Sequence, residues 1–204
     1  MKIIKKILIG IVVIILVMAV VGLFLPSEVK VERSVVIDAT PASVYQELAD
    51  LSKVQKWSPW YQIDPEGTSY EFTGANAGVG QKMAWKSEHP DVGSGSQEIV
   101  EVIENEKVRT ELYFGDMEGA SYSDLLISSV AEGTQVIWTY EGDMGSNPML
   151  RILGLFMDQM LGGQYEKGMA SLKKRVESKP IFSVDLSAES SEPINYLAIS
   201  EKFD

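Results

Sequence analysis

A chain of 204 residues, 45% hydrophobic and 23% charged, holds enough apolar material for one sizeable core or at most two small ones. It contains no cysteine, which excludes disulfides, thiolate metal sites and cysteine nucleophiles. The net charge is −11, and the residues after Pro26 carry 15 basic against 29 acidic groups, a surface that repels phosphates and anionic headgroups and points away from nucleic acid.

The chain opens on "ILIGIVVIILVMAVVGLFL", Ile7 to Leu25, 19 residues without a charge. At about 1.5 Å per helical residue this run is roughly 28 Å long, enough for the hydrocarbon layer of a membrane. Lys2, Lys5 and Lys6 precede it and Glu28 is the first acid after it, so the positive-inside tendency keeps the N-terminus cytoplasmic and the domain outside the cytoplasm. A cleaved signal peptide is the competing reading; "MAVVGLFLPSE" lacks its small-residue cleavage pattern, and the run exceeds a usual signal core. The expectation is a single-pass anchor over residues 1–26.

"EVKVERSVVIDA" then alternates, with Val29, Val31, Val35 and Ile37 on one face, and reads as a strand. The period changes in "DATPASVYQELADLSKVQKWSPW", where Asp38 or Thr40 can cap a helix with Pro41 in its first turn. Val44, Leu48 and Leu51 form its apolar stripe, and Ser58-Pro59 is expected to stop a second short helix. From Tyr70 to about Glu141 six short alternating runs are separated by "GANAGVG", "HPDVGSG", "ENEK", "GDMEG" and "AEG", the pattern of an antiparallel meander. Asn147-Pro148 opens a helix expected to run unbroken to about Glu177, with apolar positions Leu150, Leu153, Met157, Met160, Leu161, Met169, Leu172 and Val176. A sheet with one apolar face needs a cover, and this is the one long helix after the anchor, so the class is α+β.

Several stretches carry a resemblance: "VERSVVIDATPASVYQELADLSKVQKWSPW", "GVGQKMAW", "GTQVIWTYEG" and the ending "YEKGMASLKKRVE". In this order they resemble the SRPBCC superfamily, the helix-grip fold shared by START lipid-transfer domains, pollen-allergen-type proteins and polyketide cyclases. The last stretch is similar to the "E-x-G-L-x-x-L-K" helix of the bacterial polyketide cyclase/dehydrase branch, with Met169 in place of the leucine. The resemblance covers about residues 29–178. It implies a curved antiparallel sheet of about seven strands wrapped around a long C-terminal helix, two short helices after the first strand, and an apolar pocket between sheet and helix. The methionines and glycines of "NPMLRILGLFMDQMLGG" would then form an adaptable pocket wall.

Residues that could carry chemistry are few. The only histidine, His89, sits in the turn "EHPDVGSG", and one histidine without cysteine makes a zinc site unexpected. "GANAGVG" lacks the Lys-Ser/Thr ending of a phosphate loop. Glu71, Glu98, Glu101 and Asp124 lie on strands, where alternation turns most of them to water, and no carboxylate pair stands out for acid–base work. Large aromatics are more informative because they bury much area and stack on flat or apolar ligands. Trp57, Trp60 and Tyr61 bracket the end of the second short helix, Met83 and Trp85 share a strand face, and Trp138 lies on another with Val136 and Tyr140. With Met157 and Met160 these are the candidate ligand wall. Each of them taken singly reads equally well as a core residue.

The sequence therefore divides into an anchor (residues 1–26), a helix-grip domain (27–178) and an extended tail (179–204). Its expected role is that of a monomeric, membrane-tethered module holding an apolar small molecule or lipid, without cofactor or metal. The alternative is a cyclase/dehydrase- or hydrolase-like enzyme using the same pocket.

Overall fold

Odd-numbered residues of the first strand, β1 (Glu28–Ile37), turn inward, and Val31 and Ile37 are fully buried, as the alternation requires. In the computed structural model, which describes residues 2–115 and 119–179, an apolar helix α1 (Lys2–Leu23) precedes β1 by four residues. α1 is long and apolar enough to cross a membrane, by a measure that a signal sequence also satisfies. After β1, Thr40 caps α2 (Pro41–Leu48) by accepting from the Ser43 N–H, and Asp50 caps α3 (Leu51–Trp57) by accepting from the Ser52 N–H. α3 ends at Ser58-Pro59 as expected, and Pro59 also starts a third short helix, α4 (Pro59–Ile63), where its fixed φ and missing N–H cost nothing.

Six strands follow in a meander: β2 (Ser69–Gly74), β3 (Gln81–Lys86), β4 (Ser94–Ile103), β5 (Lys107–Phe114), β6 (Ser121–Val130) and β7 (Gly133–Asp143). They form one antiparallel sheet in the order β1-β7-β6-β5-β4-β3-β2, so the first strand closes against the last. Gly133 makes this closure possible: its φ is +126°, and a Cβ there would stand 2.2 Å from the Ile37 carbonyl oxygen. The pairing of β4 with β5 shifts between Ile99 and Glu101, a bulge that bends the strand. With the long C-terminal helix on its inner face, this is the α+β helix-grip fold.

The C-terminal helix differs from expectation in one respect. It is two helices, α5 (Pro148–Gly154) and α6 (Met157–Glu177). The Leu155 and Phe156 N–H groups reach back three residues, to the Ile152 and Leu153 carbonyls, instead of four. Gly154, a poor helix former, stands where the winding tightens. From Tyr165 onward α6 is a core helix, burying Tyr165, Met169, Leu172 and Val176 against Val31, Ile37, Val136 and Trp138, with Val44, Leu48, Leu51 and Trp57 closing the cluster. The expected extended tail lies, apart from Lys179, outside the described residues.

Three glycines on α5 and α6, Gly154, Gly162 and Gly168, each make room for a neighbouring side chain, whereas Gly163 faces open space. A Cβ on Gly162 would meet the Arg33 guanidinium at 2.0 Å, and one on Gly168 would stand 2.8 Å from the Trp138 ring and 3.0 Å from Pro59. Gly154 abuts Val29 and Met144 in the same way, at 2.9 and 3.3 Å. Over Gly162, Arg33 lies flat along α6. It donates to both Asp158 carboxylate oxygens (2.8 and 3.1 Å) and to Glu166 (2.9 Å), one helical turn to either side of the glycine.

Candidate functional site

The inner face of the sheet is unevenly covered. At one end α2, α3 and the second half of α6 bury Ile99, Val108, Leu125, Ile127 and Val136 completely or nearly so. At the other end α6 lies along β1, where Arg33 holds it. Positions of β3 to β6 that also point inward, Trp85, Gln97, Leu112, Phe114 and Ser121, are only partly buried there, Trp85 and Phe114 packing against the edge of the core. A filled core would bury these positions by the same alternation that buries Met83, Ile99 and Thr110 on the same strands. The register carries the open row across the sheet, since Gln97 pairs with Leu112 and Leu112 with Ser121. Trp60 and Tyr61 of α4, and Met157 and Leu161 at the start of α6, are likewise only partly buried.

The floor of this cleft is aromatic. Trp138 stacks on Tyr165 at 3.9 Å with 12° between planes, and Trp57 and Trp60 meet Trp138 edge-on at 5.4 and 6.1 Å. A second chain runs Trp85–Phe114–Tyr140, with centroids 6.0 and 6.4 Å apart. Two glycines let these rings lie across the sheet: a Cβ on Gly95 would stand 2.4 Å from the Trp85 ring, and one on Gly142 2.7 Å from the Tyr140 hydroxyl.

Polar groups on the inner face are mostly hydroxyls, each with a hydrogen-bond partner inside the sheet. Trp138 Nε1 donates to Ser123 Oγ (2.8 Å), Ser121 Oγ and the Tyr140 hydroxyl share a hydrogen bond (2.9 Å), and Thr110 donates to the Ser123 carbonyl. Burial raises the pKa of the Tyr165 phenol far above its ordinary value, so the group stays neutral. Trp57 Nε1 is buried without a hydrogen-bond acceptor. The four strand carboxylates point the other way: Glu98 pairs with Lys82 (2.8 Å), Glu101 with Lys107 (2.8 Å) and Asp124 with Arg109 (3.0 Å), while Glu71 sits on the exposed face of β2. His89 Nδ1 accepts from the Asp91 N–H inside its own turn. Among the described residues no cluster of three His, Asp or Glu side chains could share a metal ion.

The candidate wall residues thus separate. Trp57, Met83 and Trp138 are core or floor, Trp60, Tyr61, Trp85 and Met157 are only partly buried at the open end, and Met160, 56% exposed, points away from the cluster. Leu112, Phe114, Ser121, Gln97 and Tyr165 join the cleft without having been singled out from sequence. The alternation of Val108, Thr110, Leu112 and Phe114 would have found two of them, and the four-residue spacing of Tyr165 to Met169 a third.

A family profile described as polyketide cyclase/dehydrase and lipid transport matches residues 28–177, most of the chain. The chain belongs to this family. A comparison with curated proteins gave no match. Among solved structures, the chain is similar to protein CV1439 of Chromobacterium violaceum, with 20% identity over 74% of this chain and 99% of that one, TM-score 0.53. It is also similar to the di-domain aromatase/cyclase StfQ of the steffimycin biosynthetic pathway, with 10% identity over 74% of this chain and 51% of that one, TM-score 0.55. A protein from Arthrobacter aurescens matches at 14% identity, covering 80% of this chain and 94% of the other, TM-score 0.50. At these identities the likenesses concern the fold alone.

Proposed function

We propose that the chain is a membrane-tethered binding module that holds an apolar small molecule or lipid in the open end of the cleft. The observation that carries this reading is the incompletely buried inward row Trp85, Gln97, Leu112, Phe114 and Ser121 beside a closed aromatic floor. Apolar walls with a few convergent hydroxyls and an amide are the composition of a site that orients an apolar ligand by one polar end. The family's description, which includes lipid transport, agrees with it. The uncharged run of α1 supports tethering, and Lys2, Lys5 and Lys6 before it support a cytoplasmic N-terminus. Enzymatic cyclase or dehydrase chemistry is the second reading, favoured by the other half of the same description. Binding ranks first because the strand carboxylates Glu98, Glu101 and Asp124 face outward and leave hydroxyls and the Gln97 amide in the cleft.

The test is native mass spectrometry of a chain running from Ser27 to Ser178, purified without detergent. A co-purifying apolar molecule whose occupancy falls at least tenfold in Leu112→Trp supports the reading. An unliganded protein that also fails to take up a fluorescent fatty acid refutes it. Turnover of an added polyketide-like substrate would favour the second reading.

A further inference from the structure

Within twelve residues, Met149, Leu150, Leu153, Leu155, Phe156 and Met160 are all exposed. Met149 and Leu153 stand one turn apart on α5, and Phe156 and Met160 one turn apart at the start of α6, on either side of the corner. Arg151 is the only charged residue between Asp143 and Asp158, and it is turned to another purpose. It donates to the Leu23 and Leu25 carbonyls at the end of α1 (3.3 and 3.2 Å) and to the Gly145 carbonyl (2.8 Å). Next to this contact Gly22 of α1 lies so close to Pro148 that a Cβ would stand 2.2 Å from the proline carbonyl oxygen. The corner is therefore fastened to the last turn of α1, and Leu23 and Phe24, also exposed, extend its apolar surface.

We propose that the α5–α6 corner is embedded in the outer boundary of the lipid bilayer that α1 spans, which brings the open end of the cleft to the membrane surface. The proposal rests on the tethered reading of α1. Geometry selects lipid as the occupant. The span Ile3–Leu23 is 21 residues, about the thickness of the hydrocarbon layer at 1.5 Å per residue. A helix that starts against Gly22 thus lies where acyl chains meet headgroups, the depth at which amphipathic segments rest in the membrane plane. An apolar patch of this kind marks a contact surface, and here it lies beside the exposed apolar residues Leu23 and Phe24 at the end of α1. The open row of the cleft is at the same end of the sheet: Val29, two residues into β1, pairs with Gly142, and Ser121 adjoins that level of β7.

Because the chain has no cysteine, single cysteines can carry an environment-sensitive fluorophore. Four full-length variants, Ile14→Cys, Leu153→Cys, Phe156→Cys and Glu104→Cys, would be labelled and reconstituted in phosphatidylcholine vesicles. Each would be quenched either by doxyl-labelled lipid or by aqueous iodide. Glu104 lies in the β4–β5 turn, at the end of the sheet away from Glu28. The expected result is lipid quenching at 14, 153 and 156, with iodide quenching there at least fivefold weaker than at 104. Iodide quenching at 153 and 156 equal to that at 104, with 14 still lipid-quenched, overturns the proposal and leaves the tether standing. Loss of lipid quenching at 14 overturns both. Shielding of 153 and 156 from both quenchers means that protein covers the patch, either a second copy or residues 180–204 of the same chain, and also overturns it.

Discussion

A carboxylate as covered as that of Glu47, 1% exposed, is stable only with partners, and Arg175 and Lys179 both donate to it. Burial pushes its pKa up, but the hydrogen bonds and charges of Lys179 and Arg175 outweigh burial and hold it below the ordinary 4.5. Its stabilising contribution is therefore fully present above pH 4.5 and is lost as the pH falls through the lower folded value. Glu47→Gln should cost about 1–2 kcal/mol at pH 7, less than a fully buried pair because both cations stay partly in water. The same variant should lose less stability than the parent as the pH falls below 4.5. Thermal melts across that range check both statements; equal acid slopes would show that Glu47 is not held low. At two neighbouring glycines of α6 the expected signs differ. Gly163 has nothing within 4 Å of a new Cβ, so Gly163→Ala should stabilise by up to about 1 kcal/mol through helix propensity alone. Gly162→Ala should show no such gain because it displaces Arg33, and should become stabilising once Arg33→Ala has removed the obstacle. If Gly162→Ala stabilises the parent as much as Gly163→Ala does, the bed for Arg33 is unimportant.

At the scale of elements, α6 is pinned by close contacts whose neighbours cannot yield. Gly168→Ala drives a Cβ against the Trp138 ring and Pro59, both held by packing, and should cost about 1–3 kcal/mol with loss of the Trp138–Tyr165 stack. Near-ultraviolet circular dichroism with a denaturant melt reads both changes, and an unchanged spectrum with unchanged stability would contradict the contact. The strands of the meander and the start of α2 at Pro41 were legible in the sequence because alternation and a proline in the first turn are local signals, whereas the pairing of β1 with β7 and the choice of Thr40 over Asp38 as cap were not. The break at Leu155–Phe156 and the third short helix were not. A glycine inside an apolar helical pattern says that winding is weak there, not where the chain will turn. Pro59 is equally compatible with ending one helix and starting the next. The candidate site was half legible for a similar reason. Aromatic size drew attention to Trp57 and Trp138, but which inward positions stay open depends on where α6 lies across the sheet. That in turn depends on Arg33 meeting Asp158 and Glu166 more than a hundred residues away. Nothing in the local pattern around Arg33 announces those partners.

For the whole molecule, the proposed boundary at Ser27 predicts that a chain from Ser27 to Ser178 is soluble, monomeric and cooperatively melting. Its strong excess of acidic over basic residues opposes self-association. Analytical ultracentrifugation with a denaturant melt tests this, and solubility only in detergent would place α1 inside the fold. The proposed orientation predicts that protease added to intact cells, or to spheroplasts where an outer membrane exists, digests the domain. Protection until lysis would reverse the orientation. The four residues between α1 and β1 set a further limit. Fully stretched at about 3.5 Å each, they span only about 14 Å, less than the thickness of the membrane beside them. On the tethered, ligand-holding reading proposed above, a carrier on so short a leash could not ferry cargo between two membranes, and the protein that receives the ligand would have to come to it.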